Sequence, residues 1–183
     1  MAFEFRALGL DGAFLIVPKA FEDDRGFFAE TFREEEFRKN GIEMRIVQEN
    51  HSKSRRGVLR GLHFQRRPFG QAKLVRCVRG EIFDAIVDIR EGSKTFGMYE
   101  SAILSEKNMK MLYVPRGFAH GYLALSEESE IIYCVDSEYS KESESGILWN
   151  DKSIGIPWPT QNPILSEKDR SWPSLGDVWQ DRK

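Results

Sequence analysis

From Val58 onward apolar residues interleave with polar ones. Val58, Arg60, Leu62 and Phe64 share one parity, and Leu59, Gly61, His63 and Gln65 share the other. Alternation with a period of two is the signature of a β-strand, whose successive side chains point to opposite faces. It predicts a strand that carries His63, Gln65 and Leu59 on one side. Comparable runs recur at residues 15–18, 27–32 and 44–51, and then at 73–78, 81–89, 99–104, 111–114, 120–125 and 130–136. Gly, Pro or clustered charges punctuate them, as in the turn signal of residues 21–26 and the basic loop of residues 52–56. One short helix is predicted over 33–40, where glutamates fill the first turn, Arg38 and Lys39 the last, and Gly41 follows. Many short strands with Gly-rich turns and almost no helical period predict an all-β sandwich or barrel. After Gly146 the pattern breaks, and Trp149, Trp158, Trp172 and Trp179 fall among prolines and glycines. Disorder goes with few aromatics, so this is expected to be an irregular tail packed across the barrel.

The totals narrow the class. A chain of 183 residues without repeat, linker or low-complexity segment is expected to form one domain over 1–183. A formal net charge of −2 offers nothing to a nucleic-acid backbone. No apolar run reaches membrane-spanning length. The start, Met1-Ala2-Phe3-Glu4-Phe5, lacks the basic and apolar regions of a secretory signal. Cys77 and Cys134 stand apart inside apolar segments, as expected of buried thiols in a reducing compartment, so a cytoplasmic location is expected.

Three residues on neighbouring strands suggest chemistry. His63 is a base candidate, although a core histidine bonded to backbone is the commoner account of a lone imidazole. Lys73 shares the parity of Val75 and Cys77, which is unusual unless that face meets a polar pocket. Tyr133 shares the parity of Ile131 and Val135, where a satisfied core tyrosine is the plain alternative. Together a base, a cation and an acid suit proton abstraction beside a carbonyl, with the cation on the enolate.

The stretch from Pro115 to His120, Pro-Arg-Gly-Phe-Ala-His, resembles the second motif of the cupin superfamily, a double-stranded β-helix of jelly-roll type. Metal-binding cupins place a His-x-His pair and a glutamate on the preceding strands. Here that pair reads His63 and Gln65, and no glutamate follows within the next turn of sequence. Two histidines and an amide make a poor ligand set for a divalent transition metal, so neither a metal nor another cofactor is expected.

A more specific resemblance lies in Arg56-Gly57-Val58-Leu59-Arg60-Gly61-Leu62-His63-Phe64-Gln65. It is similar to the signature of the dTDP-4-dehydrorhamnose 3,5-epimerases. Val114 to Gly121, the Asp84, Asp88, Ile89, Arg90 block and Trp149-Asn150-Asp151 match further family blocks in order and spacing, over about residues 15 to 169. The resemblance implies a metal-free cupin barrel, usually a homodimer, acting on a dTDP-linked 4-keto-6-deoxysugar. It implies that dTDP-4-dehydro-6-deoxy-D-glucose is inverted at C3 and C5 to dTDP-4-dehydro-L-rhamnose, in L-rhamnose biosynthesis. By the same resemblance His63 is the proton acceptor and Tyr133 the donor. Asp169 pairs with the base, and Lys73 lies close to the C4 oxygen. Substrate contacts fall on Arg25, Glu30, Gln48, Asn50, Arg60, His120, Glu144 and Lys168. Physical chemistry agrees: Arg25 and Arg60 can grip pyrophosphate with a planar fork, Gln48 and Asn50 share a parity, and Phe27 and Tyr139 can hold the base or cap the sugar. After Tyr133 the family often has two adjacent aromatics, whereas here only Tyr139 remains. Single-centre epimerases and 3,4-ketoisomerases on related sugars share most of these motifs. A non-catalytic sugar-binding cupin and a metal-dependent cupin are the rivals from other classes.

Overall fold

The computed structural model describes residues 2–178, so Trp179 lies outside the described residues. In chain order the elements are β1 (Phe3–Ala7), β2 (Phe14–Pro18), β3 (Ala20–Asp23), β4 (Gly26–Ala29), α1 (Glu34–Lys39), β5 (Gln48–Arg55) and β6 (Leu59–Gln65). There follow β7 (Lys73–Arg79), β8 (Glu81–Asp88), β9 (Tyr99–Ser105), β10 (Met111–Val114), β11 (Phe118–Ala124), β12 (Glu128–Val135), β13 (Glu144–Gly146) and α2 (Glu167–Ser171). A six-stranded sheet runs β1-β2-β10-β7-β12-β5, and a five-stranded sheet runs β13-β6-β11-β8-β9. The sheets face each other as a jelly-roll barrel of the cupin kind, the all-β architecture expected from the strand pattern.

The alternating side chains sort into three layers. Val75 and Cys77 from β7, Leu112 and Val114 from β10, and Ile131 from β12 meet Ile82, Ile86, Phe118 and Tyr122 from the facing sheet inside the barrel. The other face of the six-stranded sheet is covered by α1 and the segment after it, where Phe37, Ile42 and Met44 pack on Phe3, Ile16 and Met111. The outer face of the five-stranded sheet is covered by the tail. There Ile147, Ile154, Trp158, Leu175 and Val178 pack on Leu59, Leu62 and Phe64, and the Trp158 indole donates to the Trp149 carbonyl at 2.7 Å. Phe37 is the pivot of the helical cover: it is 0% exposed and meets Phe3 and Phe5 edge-on. Phe37→Ala is therefore expected to lower the unfolding free energy by about 3–5 kcal/mol, measured by urea denaturation.

Two boundaries differ from the sequence pattern. β5 starts at Gln48 rather than at 44, and it continues to Arg55 through the stretch expected as a basic loop. Its partner β12 matches it from Glu128 opposite Arg55 to Val135 opposite Gln48. Glutamates on β12 receive the loop's charges, with Lys53 2.6 Å from Glu128, so the basic residues become the outer face of a strand. The turn expected at residues 21–26 is instead a two-stranded ribbon of β3 and β4 that turns at Asp24 and Arg25, and the strand expected over 27–32 stops at Ala29.

A third difference decides the geometry of the cavity. On β11, His120 and Tyr122 stand two residues apart and oppose His63 and Arg60, which stand three apart. Gly61 and Leu62 together face Gly121, which is a β-bulge. Gly61 adopts φ +147°, and a Cβ there would lie 2.6 Å from the Gly121 Cα, so only glycine fits this approach. The extra residue reverses the alternation within β6. Leu59 joins Leu62 and Phe64 in the layer under the tail, while Arg60 and His63 follow Tyr122 and His120 on the inner side. The parity read from the sequence, which placed Leu59 with His63 and Arg60 opposite, holds only beyond the bulge.

Candidate active site

A cavity of about 270 Å³ opens within the barrel, lined by side chains from both sheets. From the six-stranded sheet come Gln48 and Asn50 on β5, Lys73 on β7 and Tyr133 on β12. Register makes them neighbours, because Tyr133 is opposite Asn50 and Val135 lies between Gln48 and Lys73. From the facing sheet the bulged strand β6 supplies His63, and β13 supplies Glu144. The imidazole and the phenol thus approach one space from opposite walls.

His63 is held from behind. Its Nε2 lies 2.5 Å from Oδ1 of Asp169, a residue 106 positions later in the chain. Asp169 is positioned by a reciprocal cap at the start of α2. The Ser166 hydroxyl donates to its Oδ2 at 2.8 Å, and its own backbone N–H donates to that hydroxyl at 3.1 Å. Burial alone would raise the Asp169 carboxyl, but the hydrogen bonds from His63 and Ser166 outweigh it and hold the group below the usual carboxylate range. An ionised carboxylate only accepts, so Nε2 carries a proton, and in the neutral ring Nδ1 is then the nitrogen with the lone pair. Trp172 meets the ring edge-on, with centroids 6.2 Å apart.

Lys73 is buried at the cavity floor, with Nζ 3.5 Å from the His63 carbonyl oxygen. Loss of solvent pulls its amine down to about 8, against the opposing charges of Asp84 and Glu144. The Tyr133 phenol is pushed up, first by burial and then by Tyr122 and Glu144, with Arg60 pulling the other way. A phenol so raised stays protonated at neutral pH.

The rim is tied by hydrogen bonds. Tyr139 donates its hydroxyl to Glu144 at 2.7 Å, its backbone N–H donates to Gln48 at 3.0 Å, and Gln48 donates to Asn50 at 2.8 Å. Lys168 pairs with the same Glu144 carboxylate and sits over the Trp172 ring. Gln65 and Gln71, which the sequence reading did not place among substrate contacts, also line the cavity. Gln65 donates to the carbonyls of Phe69 and Glu138 and accepts from the Ser140 N–H, and Gln71 donates to Ser137. Both pin the loop that presents Tyr139. Parity was the signal for this: Gln65 shares it with His63 on β6, and Gln71, just ahead of β7, shares it with Lys73.

A family model described as dTDP-4-dehydrorhamnose 3,5-epimerase matches residues 7–177. The chain belongs to the dTDP-4-dehydrorhamnose 3,5-epimerase family. It is 55% identical over 153 residues to the dTDP-4-dehydrorhamnose 3,5-epimerase of Shigella flexneri, covering 83% of this chain and 84% of that one. The crystal structure of the Elizabethkingia anophelis enzyme of that name superposes with a TM-score of 0.93 at 43% identity, over 97% of this chain and 98% of that one. The Legionella pneumophila dTDP-6-deoxy-D-glucose-3,5-epimerase, solved in complex with dTDP-4-keto-L-rhamnose, gives 0.92 at 40% identity, over 95% and 93%.

Not every residue expected at the site of this epimerase-family chain reaches the cavity. Arg60 is on the inner side but turns toward β5, where its Nε donates to the Ser54 hydroxyl at 3.0 Å. His120 lies deeper, bonded to Asp84. Arg25, Phe27 and Glu30 sit on or just after the β3–β4 ribbon: Arg25 pairs with Asp23, Glu30 with Arg33, and Phe27 is 63% exposed. None of the three lines the cavity of its own chain. Among the described residues no group of three or more His, Cys, Asp or Glu side chains is placed to hold a metal ion, and no helix is long and apolar enough to cross a membrane.

Proposed function

We propose that this protein inverts C3 and C5 of dTDP-4-dehydro-6-deoxy-D-glucose to give dTDP-4-dehydro-L-rhamnose, for L-rhamnose biosynthesis. The observation that carries the reading is the placement of His63 and Tyr133 on facing walls of one cavity, with Lys73 buried in the same lining beside the His63 backbone. The C4 carbonyl acidifies the hydrogens at both C3 and C5. His63 takes each in turn through Nδ1, and Asp169 stabilises the imidazolium that forms. The Lys73 ammonium stabilises the enolate oxygen. Tyr133 returns a proton from the opposite face, and that inverts the centre.

Gln48, Asn50, Tyr139, Glu144 and Lys168 are the substrate contacts contributed by the same chain, while Arg60, bonded to Ser54, and His120, bonded to Asp84, support the site from outside the cavity lining. Arg25, Phe27 and Glu30 act from a second copy, in a homodimer. Phe21, Phe27 and Phe28 support this, since the ribbon leaves them 53%, 63% and 70% exposed, an apolar patch that asks for a cover. A cytoplasmic setting fits Cys77 and Cys134, which are both free thiols.

Turnover of the dTDP-linked 4-keto-6-deoxyglucose in deuterated water tests the reading. Deuterium at both C3 and C5 of the product, followed by NMR, is the expected result. Label at one centre alone makes the protein a single-centre epimerase, and no label at either removes the acid–base mechanism.

A further inference from the structure

Asp84, Asp88 and Arg90 belong to one sequence block, and the chemistry above leaves the first of them without a role. Asp88 accepts from Arg90, Ser93 and Thr95 and fastens the turn between β8 and β9. Asp84 faces the barrel interior, opposite Tyr122 on β11, and is 0% exposed. Both its oxygens lie 3.0 Å from Nε2 of His120, which is buried and stands opposite His63 in register. A carboxylate without solvent needs hydrogen bonds and a compensating charge. Lys73 is the one lysine or arginine buried among the described residues, and it enters the same interior from β7. Its ammonium touches the backbone of His63, the strand partner of His120. The barrel therefore encloses one lysine against the backbone of His63 and one carboxylate bonded to His120, the strand partner of His63.

We propose that Asp84, fixed by His120, is a positioning residue for Lys73: its buried negative charge keeps the amine cationic at the cavity floor and so sets the pH range over which the enolate oxygen meets a cation. The inference rests on the oxyanion role given to Lys73 above. Asp84 from β8 and Glu144 from β13 are the charges that act on Lys73, the His63 carbonyl of β6 lies against its Nζ, Tyr133 of β12 shares its cavity, and His120 of β11 reaches it through Asp84. Desolvation drives the amine toward neutrality, and Asp84 is the larger of the two charges that oppose it, Glu144 being the other. Glu144 is already shared between Lys168 and Tyr139. Without Asp84 the amine sheds its proton at lower pH, and the basic limb of the rate profile moves with it.

The test is the pH dependence of kcat and kcat/KM for wild type and Asp84→Asn, with the dTDP-linked 4-keto-6-deoxyglucose as substrate. The limb is expected to move down by about one pH unit or more, with roughly tenfold lower kcat on the alkaline side and little change in KM. Asp84→Glu, which keeps the charge, should hold the limb near its wild-type position. Asp84→Ser, which leaves room for water, gives the same comparison if the asparagine variant does not fold. A guanidinium does not titrate in this range, so adding Asp84→Asn to Lys73→Arg should move no limb. An unmoved limb in Asp84→Asn, or an equal movement in the Lys73→Arg background, overturns the inference. Undiminished kcat in Lys73→Ala would instead remove the oxyanion reading beneath it, so the two failures are distinct.

Discussion

Replacing His63 by asparagine is expected to lower kcat by about a thousandfold or more while the Kd for dTDP stays within a few-fold. The base assigned to this site is Nδ1 of His63, because Nε2 is committed to Asp169 at 2.5 Å. An asparagine amide keeps a donor for Asp169 but has no basic nitrogen. The carboxylate retains Ser166, so it is not left as an unpaired buried charge and the fold should survive. NMR assay of C3 and C5 exchange alongside calorimetric titration with dTDP separates chemistry from binding. A variant within tenfold of wild type would take His63 out of the mechanism.

Tyr133→Phe is expected to lower formation of the inverted product by about a hundredfold or more. Solvent deuterium should still enter the substrate at C3 or C5 with retained configuration. His63 can remove and replace a proton on its own face, but inversion needs a donor opposite. Among the described residues the Tyr133 hydroxyl has no hydrogen-bond partner, so its loss leaves no protein group unsatisfied and stability should hold. Exchange without inversion is the distinguishing result. Wild-type inversion by the phenylalanine variant would assign the donor elsewhere, and loss of exchange together with inversion would give Tyr133 a part in the first step.

How far the sequence could be read is clearest strand by strand. On β7 and β12 the period-two pattern placed Lys73 and Tyr133 correctly, because both strands run regularly against each other over the cavity side. On β6 the same rule failed one residue before the histidine. The warning was two glycines, Gly61 and Gly121, each inside an apolar strand pattern where a lone glycine marks a bulge or a close backbone approach. The basic run inside β5 read as a loop because the glutamates that complement it lie on β12, remote in sequence. The pairing of Asp169 with His63 has no local signature at all. It came from the family resemblance, although the Ser166 to Asp169 spacing did carry a capping signal. The ribbon residues Arg25, Phe27 and Glu30 show a different limit, since a local pattern cannot say that they stand outside the cavity of their own chain.

The carboxylate behind His63 belongs to the segment that folds back over the five-stranded sheet, far downstream of the strand it serves. On the ribosome, every strand of the barrel is therefore made before the partner that fixes the tautomer of its imidazole. On the proposed mechanism, a barrel whose strands have all paired still awaits this segment before its base has a carboxylate.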